Sequence, residues 1–301
     1  MINEISKYLQ NHIQTSEHDA IIFKNKLYQI NKDHFSYIQE NSHPLTYVDG
    51  GQAEIISSAN FCVTFIRVIA VEYPTKKISK KEFYLVTTAR SENNEIYYQS
   101  KIFGDTIIDE QDLYISSEDS TIKTGKERAA ISTIANIARR FAELSLASNY
   151  QHVLLDGSLD MKYKNEEKYM KPHFASLAKS SSLFTSSGNS PVVFLNSIGP
   201  EGTWKYFINE ETSFVKLHES AKHVFRFDGN TSLISSLIPN SKDALFLGYP
   251  YGLILADNLA RVSNSEKESL RMKFLLNKDN EKIVKYLQTS NAHSILDSLS
   301  F

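Results

Sequence analysis

Apolar and polar positions change period several times along the chain. Near the N-terminus Ile5, Tyr8, Leu9 and Ile13 recur at helical spacing, which predicts a helical arm over residues 1–40 ahead of the first strand. From Leu45 the pattern becomes extended. Leu45-Thr-Tyr-Val48 runs into Asp49-Gly50-Gly51, and long β-branched and aromatic runs follow over Ala53 to Tyr73 and Phe83 to Ala89. Such runs predict a meander of antiparallel strands. Residues 91–123, rich in Ser, Asn, Asp and Glu but interrupted by Tyr97, Tyr98, Ile102 and Phe103, read as an irregular connection with room for one strand. Between Glu127 and Ala147, Ile131, Ile134, Ile137, Ala138, Phe141, Leu144 and Leu146 are spaced by threes and fours, the pattern of one long amphipathic helix.

Beyond that helix, Val153-Leu-Leu155 reads as a strand. Residues 160–190 form a basic, polar stretch of helical character, carrying Lys162, Lys164, Lys168, Lys171 and Lys179 and ending in a run rich in Ser, Thr and Gly. Further strands are predicted at Pro191 to Leu195, Trp204 to Ile208, Phe214 to Leu217 and Val224 to Phe227, with C-terminal helices over Leu253 to Arg261 and Glu266 to Leu287. Strands, a helix, then more strands and helices point to an α/β or α+β chain with a mixed sheet. The division expected is an N-terminal helical arm, residues 1–40, and one large domain, residues 41–301.

Composition narrows the function classes. The chain has 301 residues, 41% hydrophobic and 23% charged, which suffices for a core and an ordinary polar surface. A net charge of −2 does not mark a nucleic-acid binder by bulk charge, so any such contact needs a local basic face. Cys62 is the single cysteine: no intrachain disulfide and no cysteine-bound zinc can form, and its apolar setting reads as a small buried hydrophobe. No apolar run approaches the roughly 18–20 residues of a spanning helix, and the polar N-terminus has no signal-peptide pattern, so a cytoplasmic protein without a membrane segment is expected. The histidines form no i, i+4 pair on a convincing helix, which argues against a zinc hydrolase, and no phosphate-binding Gly-x-x-x-x-Gly-Lys motif is present.

The informative chemistry is a repeated form. Thr46-Tyr-Val-Asp49-Gly-Gly and Val153-Leu-Leu-Asp156-Gly-Ser-Leu159 are both apolar strands running into Asp-Gly. Singly, each is read as a hairpin or Asx turn. Together, on neighbouring strands, they would set two carboxylates a few ångströms apart. A following glycine would turn the backbone and leave space for a metal or a phosphate. Two such carboxylates need a counter-charge, and oxygen donors select a hard cation, magnesium or manganese, able to activate water against a phosphodiester.

These segments, with Leu177-Ala-Lys179-Ser, Phe214-Val-Lys-Leu-His218, Val224-Phe-Arg226-Phe-Asp228 and Gly248-Tyr-Pro-Tyr-Gly-Leu253 followed by Ala256-Asp257, resemble the NurA nuclease family in order, from about Thr46 to Glu266. The resemblance implies an RNase H-like mixed sheet flanked by helices with additional antiparallel strands. It also implies a manganese- or magnesium-dependent deoxyribonuclease acting at DNA ends or in single strands, a homodimer, and docking on a hexameric HerA-type ATPase that translocates DNA, in end processing, repair or defence. It places metal-holding carboxylates at Asp49, Asp156 and a helix glutamate, either Glu143 or Glu127. Glu143 is preferred for its context, Arg139-Arg140-Phe-Ala-Glu143-Leu. It adds Lys179 and Tyr249 to the catalytic set and Arg226, with Lys179, to DNA binding. Where the family has a metal-site histidine after Tyr-Pro, this chain has Asp257. That aspartate would hold a hard cation, but with a free pKa near 3.9 it would move protons poorly at neutral pH.

Three readings follow: a metal-dependent DNA nuclease; a DNA-holding, translocase-docking subunit with weakened catalysis, which Asp257 favours; and an unrelated RNase H-like or Argonaute-like nuclease domain acting on RNA or a hybrid.

Overall fold

The computed structural model describes residues 1–12 and 19–290. Helix α1 (Ile2–His12) is followed by strands β1 (Ala20–Phe23), β2 (Lys26–Gln29) and β3 (Phe35–Tyr37). Next come β4 (Leu45–Ser58), β5 (Phe61–Tyr73), β6 (Lys77–Glu92), β7 (Glu95–Gly104) and the short β8 (Ile115–Ser116). Helix α2 (Thr133–Ala147) leads to β9 (Val153–Asp156), β10 (Phe174–Ala178) and β11 (Phe184–Thr185). The chain ends through α3 (Pro191–Ile198), β12 (Trp204–Phe207), β13 (Thr212–Lys216), β14 (Phe225–Gly229), α4 (Ile234–Asn240), α5 (Tyr251–Ala260), α6 (Asn264–Leu275) and α7 (Glu281–Ser290).

One eleven-stranded sheet has the order β3-β12-β13-β14-β10-β9-β4-β5-β6-β7-β8, and β11-β1-β2 form a smaller one. In the large sheet β9 runs parallel to both β4 and β10, while β5 is antiparallel to β4 and β6. Its centre, β6-β5-β4-β9-β10, thus has the third, second, first, fourth and fifth strands side by side with the second reversed. This is the strand order of an RNase H-like core, extended on both sides by antiparallel strands.

Alternation in β4 explains how both sheet faces are covered. Val48 and Leu155 join Ile134, Ile137, Phe141 and Leu144 of α2 on one face. Tyr47 and Leu154 join Leu237 of α4 and Leu253 and Ala256 of α5 on the other. Each such side chain contributes roughly 1.5–3 kcal/mol on burial. The far halves of β4–β6 are covered by α6 and α7 through Leu270, Phe274 and Ile283. Among the described residues no helix is long and apolar enough to cross a membrane.

Several local expectations are corrected. The N-terminal helix stops at His12 and Ile13 lies outside the described residues; residues 19–40 are strands, not a helical arm. Lys24 and Asn25, both at positive φ, make a two-residue hairpin turn, and Ile21 and Phe23 are buried with Trp204 and Phe214. The strand expected at Pro191 to Leu195 is α3, with Pro191 in its first turn; a short apolar run cannot by itself separate the two forms. Residues 160–190 hold no α-helix: a 3-10 turn at Glu166–Lys168 precedes the fully buried β10, because Asn165 is left-handed and Pro172 interrupts. The strand allowed for within residues 91–123 is present as β7, with the short β8 after it. Helix α2 starts only at Thr133, since the preceding chain is held to the sheet by Ala129 N donating to Ser117 O.

Candidate active site

Parallel pairing of β4 with β9 sets Val48 against Leu155, so Asp49 and Asp156 follow on adjacent strands and face α5, as Tyr47 and Leu154 do. Asp156 ends its strand, and Gly157 turns the chain at φ +93°. Asp49 does not end its strand: β4 continues to Ser58. The glycines after Asp49 therefore serve close approach rather than a turn. A Cβ on Gly50 would lie 2.6 Å from Glu143 Oε1, and one on Gly51 would lie 2.1 Å from the Ala260 carbonyl oxygen. Their bareness admits Glu143 from α2 at one face and the end of α5 at the other.

Glu143 is buried on α2 and accepts from Arg139 Nη1 at 3.0 Å, while the same nitrogen donates to Gly50 O at 2.8 Å. Glu127, the other candidate, is exposed ahead of the helix. Asp156 accepts from Lys179 Nζ at 2.9 Å and from Tyr249 Oη at 3.2 Å. Lys179 also lies over the Tyr249 ring, 5.6 Å from its centre. Asp257, on α5, accepts from Arg261 Nη2 at 2.9 Å.

Each outer carboxylate thus has a cation: Arg139 for Glu143, Lys179 for Asp156, Arg261 for Asp257. Among the described residues Asp49 has only the Gly50 N–H, 2.8 Å from its Oδ1. Burial, then the negative charges of Glu143 and Asp156, with Asp257 adding, push its carboxyl up to about 7 against the pull of that N–H. Burial also raises Glu143, against Arg139 and Arg140. Tyr249 is driven well above the ordinary phenol range by burial and by Asp156, so it stays a hydrogen-bond donor. Burial works against the Lys179 ammonium, but the bond to Asp156 and the neighbouring carboxylates outweigh it and hold its pKa above the usual lysine value.

The donor set fits a hard divalent cation: carboxylate oxygens around one buried aspartate that has no counter-cation. It is not a closed cage, for among the described residues no three carboxylate, imidazole or thiolate groups stand as ready ligands.

Arg226 is placed apart from this cluster. Its neighbours Phe225 and Phe227 point to the α5 face, so Arg226 points to the opposite one. There it is buried, bonded to Asp228 Oδ1 at 2.9 Å and Asp160 Oδ2 at 2.8 Å, and seated over Phe23. A cleft of about 750 Å³ opens on that side, lined in part by Arg226, Asp160 and Lys171. Sequence reasoning missed Arg139, although its i, i+4 spacing to Glu143 was the available signal, and missed the Arg261 partner of Asp257 for the same reason.

No family model matches the chain, and no curated protein sequence matches it. Among solved structures the fold is similar to the NurA nuclease from Sulfolobus solfataricus, with 16% identity, 93% of each chain covered and a TM-score of 0.49. It is also similar to Ciona intestinalis Endonuclease V in complex with an inosine-containing 24mer DNA, with 12% identity over 74% of this chain and 90% of that one, TM-score 0.34. The catalytic domain of human Endonuclease V overlaps at 8% identity over 79% and 91%, TM-score 0.36.

Proposed function

We propose that this chain is a nuclease that hydrolyses phosphodiester bonds in DNA, using a divalent cation held by Asp49, Asp156 and Glu143, with Asp257 beside them. The observation that carries the reading is the buried Asp49, which sits among three further carboxylates and alone of the four lacks a cationic partner among the described residues. Perturbed carboxylates gathered in one place mark candidate sites of this kind.

Bound there, manganese or magnesium would supply an activated water and neutralise charge on the phosphate. The protein groups do the rest. Paired strands hold Asp49 and Asp156 on a rigid base, and Arg139 fixes Glu143 from the other face. Lys179 keeps its charge and is placed to steady a phosphate oxygen next to Asp156. Tyr249 donates to Asp156 and orients it, with no part as a base. Following the resemblance, we read the working form as a cytoplasmic homodimer that docks on a HerA-type ATPase during DNA end processing, repair or defence.

A second reading, a DNA-holding subunit of such a complex with weakened catalysis, is favoured by one observation: Asp257 is tied to Arg261 where the family would place a histidine. End-labelled single-stranded and duplex DNA incubated with manganese, magnesium or EDTA separates the two. Metal-dependent cutting that Asp49→Ala and Asp156→Ala both abolish supports the nuclease. Absence of cutting even with a translocase added leaves the docking subunit.

A further inference from the structure

Leu245, Phe246 and Leu247 lie in the short connection between α4 and α5 and are 78%, 41% and 37% exposed. Three successive large apolar side chains at a surface need a reason, because water opposes their exposure. The connection is not loose. Phe246 N donates to Asp243 O at 3.2 Å, Gly248 N to Ser241 O at 2.8 Å and Tyr249 N to Phe246 O at 3.2 Å. Gly248, at φ +88°, lies so close to Ala221 that a Cβ there would stand 2.5 Å from the alanine methyl. The loop is therefore pinned to the body while its side chains stay in solvent.

Phe246 belongs to an aromatic series that leads inward to the carboxylates. Its ring stacks on exposed His223, with centres 5.2 Å apart and planes at 24°. On the inner side it meets Tyr249 edge-on at 6.0 Å, and Tyr249 Oη donates to Asp156 at 3.2 Å. Lys179 lies over the Tyr249 ring, and Lys222 is exposed next to His223. Aromatic rings on a hydrogen-bonded loop, with the Lys179 ammonium over the innermost of them, are what a single strand requires: bases stack and phosphates meet cations. A base inside a duplex has both faces covered by its neighbours.

We infer that Phe246, stacked on His223, is a platform for an unpaired nucleobase that leads a single strand to the Asp156 carboxylate. This rests on the nuclease reading above and adds to it the residues that would receive the base of a frayed end or single strand.

The test is binding in EDTA, where nothing is cut. It uses single-stranded and duplex oligonucleotides carrying 2-aminopurine, whose fluorescence falls when it stacks. Phe246→Leu keeps the apolar bulk and removes the π-face; Phe246→Trp keeps a π-face. Loss of one base stack predicts single-strand affinity weaker by about tenfold in Phe246→Leu, with quenching lost and duplex affinity nearly unchanged. The slope of affinity against salt stays the same because no phosphate contact is removed, and Phe246→Trp behaves as wild type. Equal losses on both DNA forms, no loss, or a change confined to oligomeric state overturn the platform. Wild-type protein that binds neither form and cuts neither with manganese or magnesium removes the nuclease reading with it; one that cuts but binds neither form in EDTA removes the platform alone. Wild-type protein that binds and cuts while Phe246→Leu is unaffected removes the platform alone.

Discussion

Adjacent residues of α2 serve two buried carboxylates that are treated in opposite ways. Arg140 binds Glu166, which is fully enclosed and also accepts from the backbone N–H groups of Lys162 and Tyr163 at 2.8 and 3.1 Å. Arg139 binds Glu143, whose neighbour across Gly50, Asp49, accepts only one backbone N–H and faces three other carboxylates. The first cluster satisfies its charge internally and ties the 158–166 segment to the helix, with Arg140 Nη2 donating to Ser158 O. The second leaves negative charge unanswered on a rigid strand. A closed network is structure; an open one around a buried strand aspartate is where a cation and a phosphate would be received. Arg226 with Asp228 and Asp160 belongs with the closed kind, as its burial and two short contacts require.

The largest way to sharpen this contrast is to open the closed cluster. Glu166→Ala leaves Arg140 buried without a partner and should cost about 3–5 kcal/mol of stability, read by chemical denaturation. A loss no larger than that of an exposed glutamate would erase the distinction.

The open cluster should show its strain through pH. Asp49 is raised from 3.8 to about 7 on folding. Its contribution is fully present below pH 4, where both states are protonated, and is lost as pH rises through about 7. In EDTA, Asp49→Asn should therefore gain on wild type by roughly 2–3 kcal/mol as pH goes from about 5 to 8, part of about 4 kcal/mol over the whole span from below pH 4 to above 7. Manganese should shrink that gain by stabilising the wild type. A difference flat with pH sinks the assignment of Asp49 as the uncompensated charge.

Lys179→Ala should slow metal-dependent cleavage by about 100-fold with little change in fold, because a preplaced cation is removed from the phosphate. If the rate holds and only stability falls, Lys179 is a structural partner of Asp156. The smallest effect is expected at Gly50→Ala. Its methyl would press on Glu143 Oε1, displacing that side chain and lowering the rate by about tenfold while β4 stays paired. An unchanged rate would show that the position of Glu143 does not matter to the chemistry.

What the sequence determined by itself is what depends on near neighbours. The meander β4–β6 follows from β-branched runs and α2 from its three-and-four spacing, and the repeated strand-Asp-Gly form could be seen without coordinates. Period fixes which face of an element is apolar, and that is a local property. It failed where local signals were short or two-valued, as at α3, β1 and the basic stretch before β10.

Tertiary structure alone decided the rest. Parallel pairing of β4 with β9 brought Asp49 to Asp156, and helix approach gave Gly50 and Gly51 their purpose at mid-strand. One step of strand alternation turned Arg226 to the face away from the carboxylates, and the approach of α2 set Glu143 against Gly50. These outcomes come from contacts between residues far apart in the chain, where one residue of register reverses a side chain's face and a buried charge takes whichever partner packing delivers.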